Sequence, residues 1–348
     1  MPSLSFKKEA IVHIVYGTVP LKYKIDVSEI DFGQTFRENS FEVKPLHNQS
    51  SFEGSVINQA NPAEFSFNTP LLKEERHKIV FDRLLDHKTF DLYVSSGQDV
   101  FKLEKCVIQD GTFEINKSRP LRLAVSGEAS KLSKYTPTDA VALNAVSGKR
   151  VYIHEVGSTN WVAIGAPSNT QGVIFTATGN GSGTGTPRLA IPGTLQNTGI
   201  TTTTYIMPAL DILTLGTTDV SDGVVGGLSV EIQNDVQWNG YNTVHGALSA
   251  TNAATSQYPQ NFRNGKKVLG GSIRRYLLDD SSTVNTWNSN TSLRLKAGNG
   301  TQGLDFNISN CSFTNRMSAG QDIFVEEYNW RMTQNPTALS SVLTYTTT

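Results

Sequence analysis

Two eight-residue stretches, FKLEKCVI at Phe101 to Ile108 and FNISNCSF at Phe306 to Phe313, place the chain's two cysteines at the same step of one alternating pattern. Cys106 and Cys311 stand 205 residues apart, as do Phe101 and Phe306. At that spacing Leu123 falls on Tyr328 and Val125 on Trp330, so large apolar positions recur in step beyond the cysteines. A burial pattern that repeats at a fixed spacing is what a duplicated structural unit leaves behind. Upstream, FDLYVSSG at Phe90 to Gly97 resembles SLRLKAG at Ser292 to Gly298 only after a shift of a few residues. The competing reading is a chance likeness of two ordinary strands.

Period-2 alternation dictates mostly strands. Phe65 and Phe67 alternate with Glu64 and Ser66, and Phe90, Leu92 and Val94 repeat the pattern. So do Phe101 and Leu103, then Leu121, Leu123 and Val125. One stretch differs: Leu71 to Lys88 sets Ile79/Val80 and Leu84/Leu85 among charges just after Pro70, which predicts an amphipathic helix. A weaker echo of it falls near Arg274 to Asp280. The expected architecture is an antiparallel β-sandwich or half-barrel carrying little helix.

Past Tyr135 charge becomes sparse, and short strand patterns end in a tail where Gly179, Gly181, Gly183 and Gly185 alternate with small polar residues. A dinucleotide site needs G-x-G-x-x-G between a strand and a helix. A tightly turning β module suits the tail better. After Thr201 strands resume, with Val230 and Ile232 about Glu231, Leu293 and Leu295 about Arg294, and Phe306 and Ile308 about Asn307. The long polar stretch Ser249 to Lys267 reads as a functional or interfacial loop, and TALSSVLTYTTT at the end as an arm or a frayed end.

The 348 residues suit two or three domains. Charged residues are 18% of the chain, below the roughly 25% typical of soluble domains. Net charge is −1 with no clustered Lys/Arg, which argues against stable nucleic-acid binding. No segment has the ~20 apolar residues of a membrane helix, and MPSLSFKKEAIVHIVYG lacks a signal-peptide apolar run, so use without translocation is expected. Cys106 and Cys311 are expected to be free, buried thiols, in keeping with a reducing compartment.

No catalytic, cofactor-binding or metal-ligating residue is assigned. His13, His47, His77, His87, His154 and His245 are scattered, and His154-Glu155 lacks the second histidine of a zinc-protease motif because Ser158 stands there. G-x-S-x-G and the P-loop are absent, and Gly265-Lys266-Lys267 lacks the P-loop hydroxyl. Asp279 and Asp280 read as solvated loop carboxylates. Trp330 continues an apolar series with Tyr328 and reads as core, whereas Trp161, Trp238 and Trp287 lie among Asn, Thr and Gly, where sugar stacking is conceivable.

The run FEGSVINQANPAEFSFNTPLLKEERHKIVFDRLL, followed by TFDLYVSSGQDVFKLEKCVIQDGTFEINKSRPLRLAVSGEASKL, resembles the tail tube proteins of long-tailed bacteriophages. The second half, GGLSVEIQNDVQW through CSFTNRMSAGQDIFVEEYNWRMTQ, is similar to the same unit, and GSTNWVAIGAPSNTQGVIFTATGNGSGTGT resembles a small β module of phage structural proteins.

The resemblance implies a mainly β chain of two tandem tube-type β-sandwich or half-barrel domains, at 1–136 and 193–348, with a small all-β module at 137–192 between them. It further implies a self-assembling, non-enzymatic virion protein without cofactors. Three copies would form a pseudo-hexameric ring, and stacked rings a hollow conduit for DNA ejection that lets DNA pass without stable binding. Implied partners are other copies, then tape measure, terminator and tail-tip proteins, with assembly in the host cytoplasm and no membrane. Segments His47 to Asn61 and Ser249 to Lys267 are the candidate ring-stacking loops, and a non-contractile tail is expected. Two alternatives stand beside it: a tail-tip or baseplate ring protein of the same fold, and a carbohydrate-binding adhesion module.

Overall fold

The computed structural model describes residues 10–43, 52–71, 78–96, 99–116, 119–196, 205–206, 209–239, 257–277, 288–298, 302–319, 322–333 and 338–346. In chain order the elements begin with β1 (Ile11–Tyr16), β2 (Leu21–Ile25), β3 (Glu29–Gly33), β4 (Phe36–Val43), β5 (Phe52–Ala60), β6 (Ala63–Pro70) and helix α1 (Lys78–Asp86). Next come β7 (Phe90–Ser96), β8 (Asp99–Ile115), β9 (Arg122–Ala129) and β10 (Lys131–Lys134). The short strands β11 (Arg150–Glu155), β12 (Ile174–Thr176), β13 (Thr186–Leu189) and β14 (Thr194–Leu195) follow. The last are β15 (Ala209–Leu215), β16 (Thr218–Asp219), β17 (Val224–Asn239) and β18 (Asn261–Tyr276), then β19 (Asn288–Gly298), β20 (Gly303–Ala319), β21 (Phe324–Met332) and β22 (Leu343–Thr346). The fold is mainly β, as the alternation requires.

Contacts group the chain into two compact units, one of Met1–Asp26, Thr89–Cys106 and Lys131–Gly199, the other of Val27–Lys88, Val107–Ser130 and Ile200–Thr348. In the first unit the strand order is β14-β2-β1-β7-β8-β10, with the β8 residues before Val107 taking part. A separate three-stranded sheet, β12-β11-β13, closes over its own core of Val146, Val151, Ile153, Trp161, Ile164 and Phe175. Ile174 and Ile191 from that region join Val15, Tyr93 and Val100 in a second cluster.

In the second unit one antiparallel sheet runs β3-β6-β9-β8-β17-β18-β21-β20-β19-β15-β16. Along the N-terminal part of β20, β22 takes the flank that β21 occupies further on. One side of this sheet is apolar. Helix α1 buries Ile79, Val80, Phe81, Leu84 and Leu85, and Gly111 lets it approach β8, because a Cβ there would meet Leu84 Cδ1 at 2.7 Å. Phe81 meets Phe113 edge-on with centroids 6.1 Å apart, and Phe113 meets Phe306 at 5.9 Å. Full burial of each such ring stabilises by about 1.5–3 kcal/mol.

The two hairpins that carry the cysteines share one register. Phe90 pairs with Cys106, Leu92 with Leu103 and Val94 with Phe101, with a bulge at Asp91. Thr291 pairs with Cys311, Leu293 with Ile308 and Leu295 with Phe306, with a bulge at Ser292. The strands before them agree as well: Val12 and Ile14 face Val94 and Leu92, and Leu213 and Leu215 face Leu295 and Leu293. The shift of a few residues upstream is thus uniform, Phe90, Leu92 and Val94 matching Thr291, Leu293 and Leu295.

On the return strands the matches at a spacing of 205 do not hold. Phe65 pairs with Gly127 across β6 and β9, as Gly271 pairs with Trp330 across β18 and β21. Trp330 therefore corresponds to Gly127, and Tyr328 to Val125. The cause is an extra β8 residue at the bulge between Ile108 and Asp110, together with a shorter β20–β21 connection.

The expected helix is present: α1 covers Lys78–Asp86, with residues 72–77 outside the described residues. Other expectations are corrected. Arg274–Tyr276, read as a helical echo, is strand, and 278–280 are not described. Of the stretches read as loops, Phe52–Ala60 is strand paired with β4 and Asn261–Lys267 is strand paired with β17, while 47–51 and 249–256 lie outside the described residues. Of the two readings of the last stretch, the arm holds over residues 338–346, where β22 pairs with β20 and buries Leu343 and Tyr345.

Candidate functional site

Register alone brings the polar side chains of eight strands onto the side of the second sheet opposite α1. One row across β3-β6-β9-β8-β17-β18-β21-β20 reads Glu29, Asn68, Ala124, Thr112, Glu231, Gly270, Arg331 and Ser312. Neighbouring rows add Asp31, Ser66, Ser126, Asp110 and Gln233, and Arg122, Glu114, Ser229, Ser272, Asn329 and Thr314. Each strand contributes because its odd or even set is apolar and is claimed by the core, which leaves the other set in water.

These rows, with Glu64 and Glu128 at one end and Arg274, Glu327 and Arg316 at the other, hold eight carboxylates, four arginines and no lysine. Glu64 and Glu128 face each other directly across β6 and β9. Like charges at opposed positions cost stability. Burial, then repulsion from Glu64, pushes the Glu128 carboxyl up. Shallow depressions lie on this face over β17, β18, β20 and β21, over β3, β6, β8 and β9, and over β8, β17 and β18, the last lined by Lys266 beside Asp110 and Gln233. A surplus of carboxylates among the hydroxyls and amides of these rows repels polyanions.

On the opposite, buried side, Arg275 and Glu326 form an ion pair, Nε to Oε2 at 3.0 Å, with both side chains at most 1% exposed. Tyr328 donates its hydroxyl to the same oxygen at 2.7 Å. Burial, then the Glu326 hydrogen bond and charge, raises the Tyr328 phenol. This cluster is isolated from solvent and serves the core.

The aromatic and glycine-rich candidates resolve into packing. Trp161 is fully buried and donates Nε1–H to the Val156 carbonyl at 2.9 Å, so it offers no stacking surface for a sugar. Small neighbours made it look exposed in sequence, yet they let the backbone close around it: a Cβ at Gly185 would meet Trp161 Cζ2 at 2.5 Å. Gly183 has φ +110° and backs onto Thr159. Trp330 is core, Trp238 is half-buried against Phe262, and Trp287 lies outside the described residues, as do Asp279 and Asp280. Cys106 and Cys311 are free and buried. Among the described residues no group of three His, Cys, Asp or Glu is placed to hold a metal ion, and no helix is long and apolar enough to cross a membrane.

No local signal marks which strands pool their polar sides, since that depends on β8 pairing with β17. The period-2 pattern marked Glu64, Ser66 and Glu231 as outward one strand at a time.

Residues 3–149 match the family model described as the Bacteriophage Baseplate Tube Protein Family. The matched stretch spans β1 to β10 and α1. No curated protein matches the chain. The similarity supports a tube-type structural protein of a phage tail or baseplate, a component of the virion.

Proposed function

We propose that this chain is a self-assembling subunit of a phage tail or baseplate tube, with its carboxylate-rich sheet face turned toward the conduit. The observation that carries this reading is the order of strands in one sheet. β3-β6-β9-β8 is followed, without a break, by β17-β18-β21-β20. β8 corresponds to β20 and β9 to β21, so a single chain lays two like sectors side by side. Three such chains make six sectors, a pseudo-hexameric ring with threefold symmetry.

Two tube-type domains, at 1–136 and 193–348, and a module at 137–192 suit this reading. The chain acts by shape and charge rather than by catalysis. A wall poor in cations lets DNA pass during ejection without holding it. Partners are other copies of the chain and the tail proteins at either end of the tube. The description of the matched family favours the baseplate end of such a tube as a second reading, whereas burial of Trp161 removes the main support for a sugar-binding module.

Mass measurement of the purified chain tests assembly. Particles of three 38.0 kDa chains and their stacks are expected, and a monomer at every concentration would overturn the reading.

A further inference from the structure

The join between the two sectors inside one chain is a template for the join between chains. At the internal join β8 pairs with β17: Ile115 with Leu228, Glu114 with Ser229, Phe113 with Val230 and Thr112 with Glu231. Phe113 and Val230 are fully buried there.

The sheet register identifies the counterparts of these residues. Phe32 lies opposite Phe65, and Val230 opposite Gly271. Since Phe65-Gly127 and Gly271-Trp330 are matching pairs, Phe32 takes the place of Val230. Phe113 lies opposite Leu123, and Met317 opposite Glu326. Leu123 and Glu326 each stand four residues before the matching Gly127 and Trp330, so Met317 takes the place of Phe113.

Among the described strands β3 has β6 as its sheet neighbour, and β20 beyond Thr314 has β21. Met317 is 39% exposed, unlike Phe113. An apolar side chain in water at the position where its counterpart is buried in a join marks an edge built for a partner.

We infer that β20 of one copy pairs antiparallel with β3 of the next, in the register Arg316 with Gly33, Met317 with Phe32, Ser318 with Asp31 and Ala319 with Ile30. This rests on the tube reading and names its contact. The contact is head-to-tail, so it generates a ring wherever the rotation closes. It carries the polar face across the join, placing Arg316 diagonal to Asp31 of the neighbour, within reach of an ion pair.

The test is a paired substitution, Met317→Cys with Phe32→Cys, in the full chain under mild oxidation. The native thiols are buried and do not compete. Disulfide-linked species of two and three chains are expected, and none from either single variant or from Met317→Cys with Asp31→Cys, whose side chain points to the other face. Amide exchange on the unsubstituted chain supplies a second readout: the amides of 30–33 and 316–319 that point away from β6 and β21 are protected in the assembly and not in the dissociated chain. Rings that form with neither linkage nor protection overturn this register and leave the tube reading standing. A chain that never self-associates overturns both.

Discussion

Cys106 and Cys311 stand opposite the same break in two hairpins: Cys106 pairs with Phe90 and Cys311 with Thr291, and in each partner strand the following residue is skipped before pairing resumes. Both thiols are fully buried. Burial pushes Cys311 up to about 12, and Cys106 is also held well above the ordinary thiol range, mainly by burial. Since the thiolate is the reactive species, neither should react with a disulfide reagent at pH 8 in the native chain. Both should react at the rate of unfolding when denaturant is added, which a colorimetric thiol assay reads directly.

The Phe65-Gly127 and Gly271-Trp330 pairs are one contact with ring and glycine exchanged between strands. A Cβ on Gly127 would run into Phe65 Cζ at 2.6 Å and into the Val107 carbonyl, and one on Gly271 into Trp330 Cε2 at 3.0 Å and the Ser229 carbonyl. Gly127→Ala and Gly271→Ala should each destabilise by about 1–3 kcal/mol, the range for overpacking a core. Gly33→Ala, with nothing within 4 Å, should change stability little. Thermal unfolding of the three variants checks the order.

The Arg275-Glu326 pair sits where neither charge reaches water. Glu326→Leu alone leaves a buried guanidinium and should cost roughly 3–5 kcal/mol. The double variant Arg275→Met/Glu326→Leu should recover most of that loss. Urea titration of both chains measures the coupling.

His13 ties stability to pH. Burial, reinforced by Lys22, Lys24 and Arg150, lowers it from 6.5 to about 3, so the folded state favours the neutral ring. Its contribution is fully present above pH 6.5 and is lost as pH falls toward about 3, where the unfolded chain binds a proton that the folded chain refuses. His13→Leu should flatten the dependence of unfolding free energy on pH in that window by up to about 1.4 kcal/mol per pH unit, one proton's worth. His87, lowered to about 4 mainly by burial, leaves a residual slope.

The strands were legible because core and water claim alternate residues: Phe65 and Phe67 are buried while Glu64 and Ser66 are exposed. The cysteine strands were legible for the same reason. The return strands were misaligned because a bulge adds a residue without disturbing alternation on either side, and because exchange of glycine for tryptophan hides one position of the repeat. Asn261–Lys267 read as loop because residues in a hairpin arm that are wet on both faces carry no period-2 signal. The polar face was not legible as a unit, since Glu231 and Thr112 are neighbours only through β8 and β17.

The most direct test of the central claim is electron microscopy of the purified chain, with averaging along any filament. The account predicts hollow particles with threefold symmetry and six sectors, lined by the face that carries Glu64, Glu128 and Glu231. Particles that turn this face outward, or a chain that remains monomeric, would contradict it.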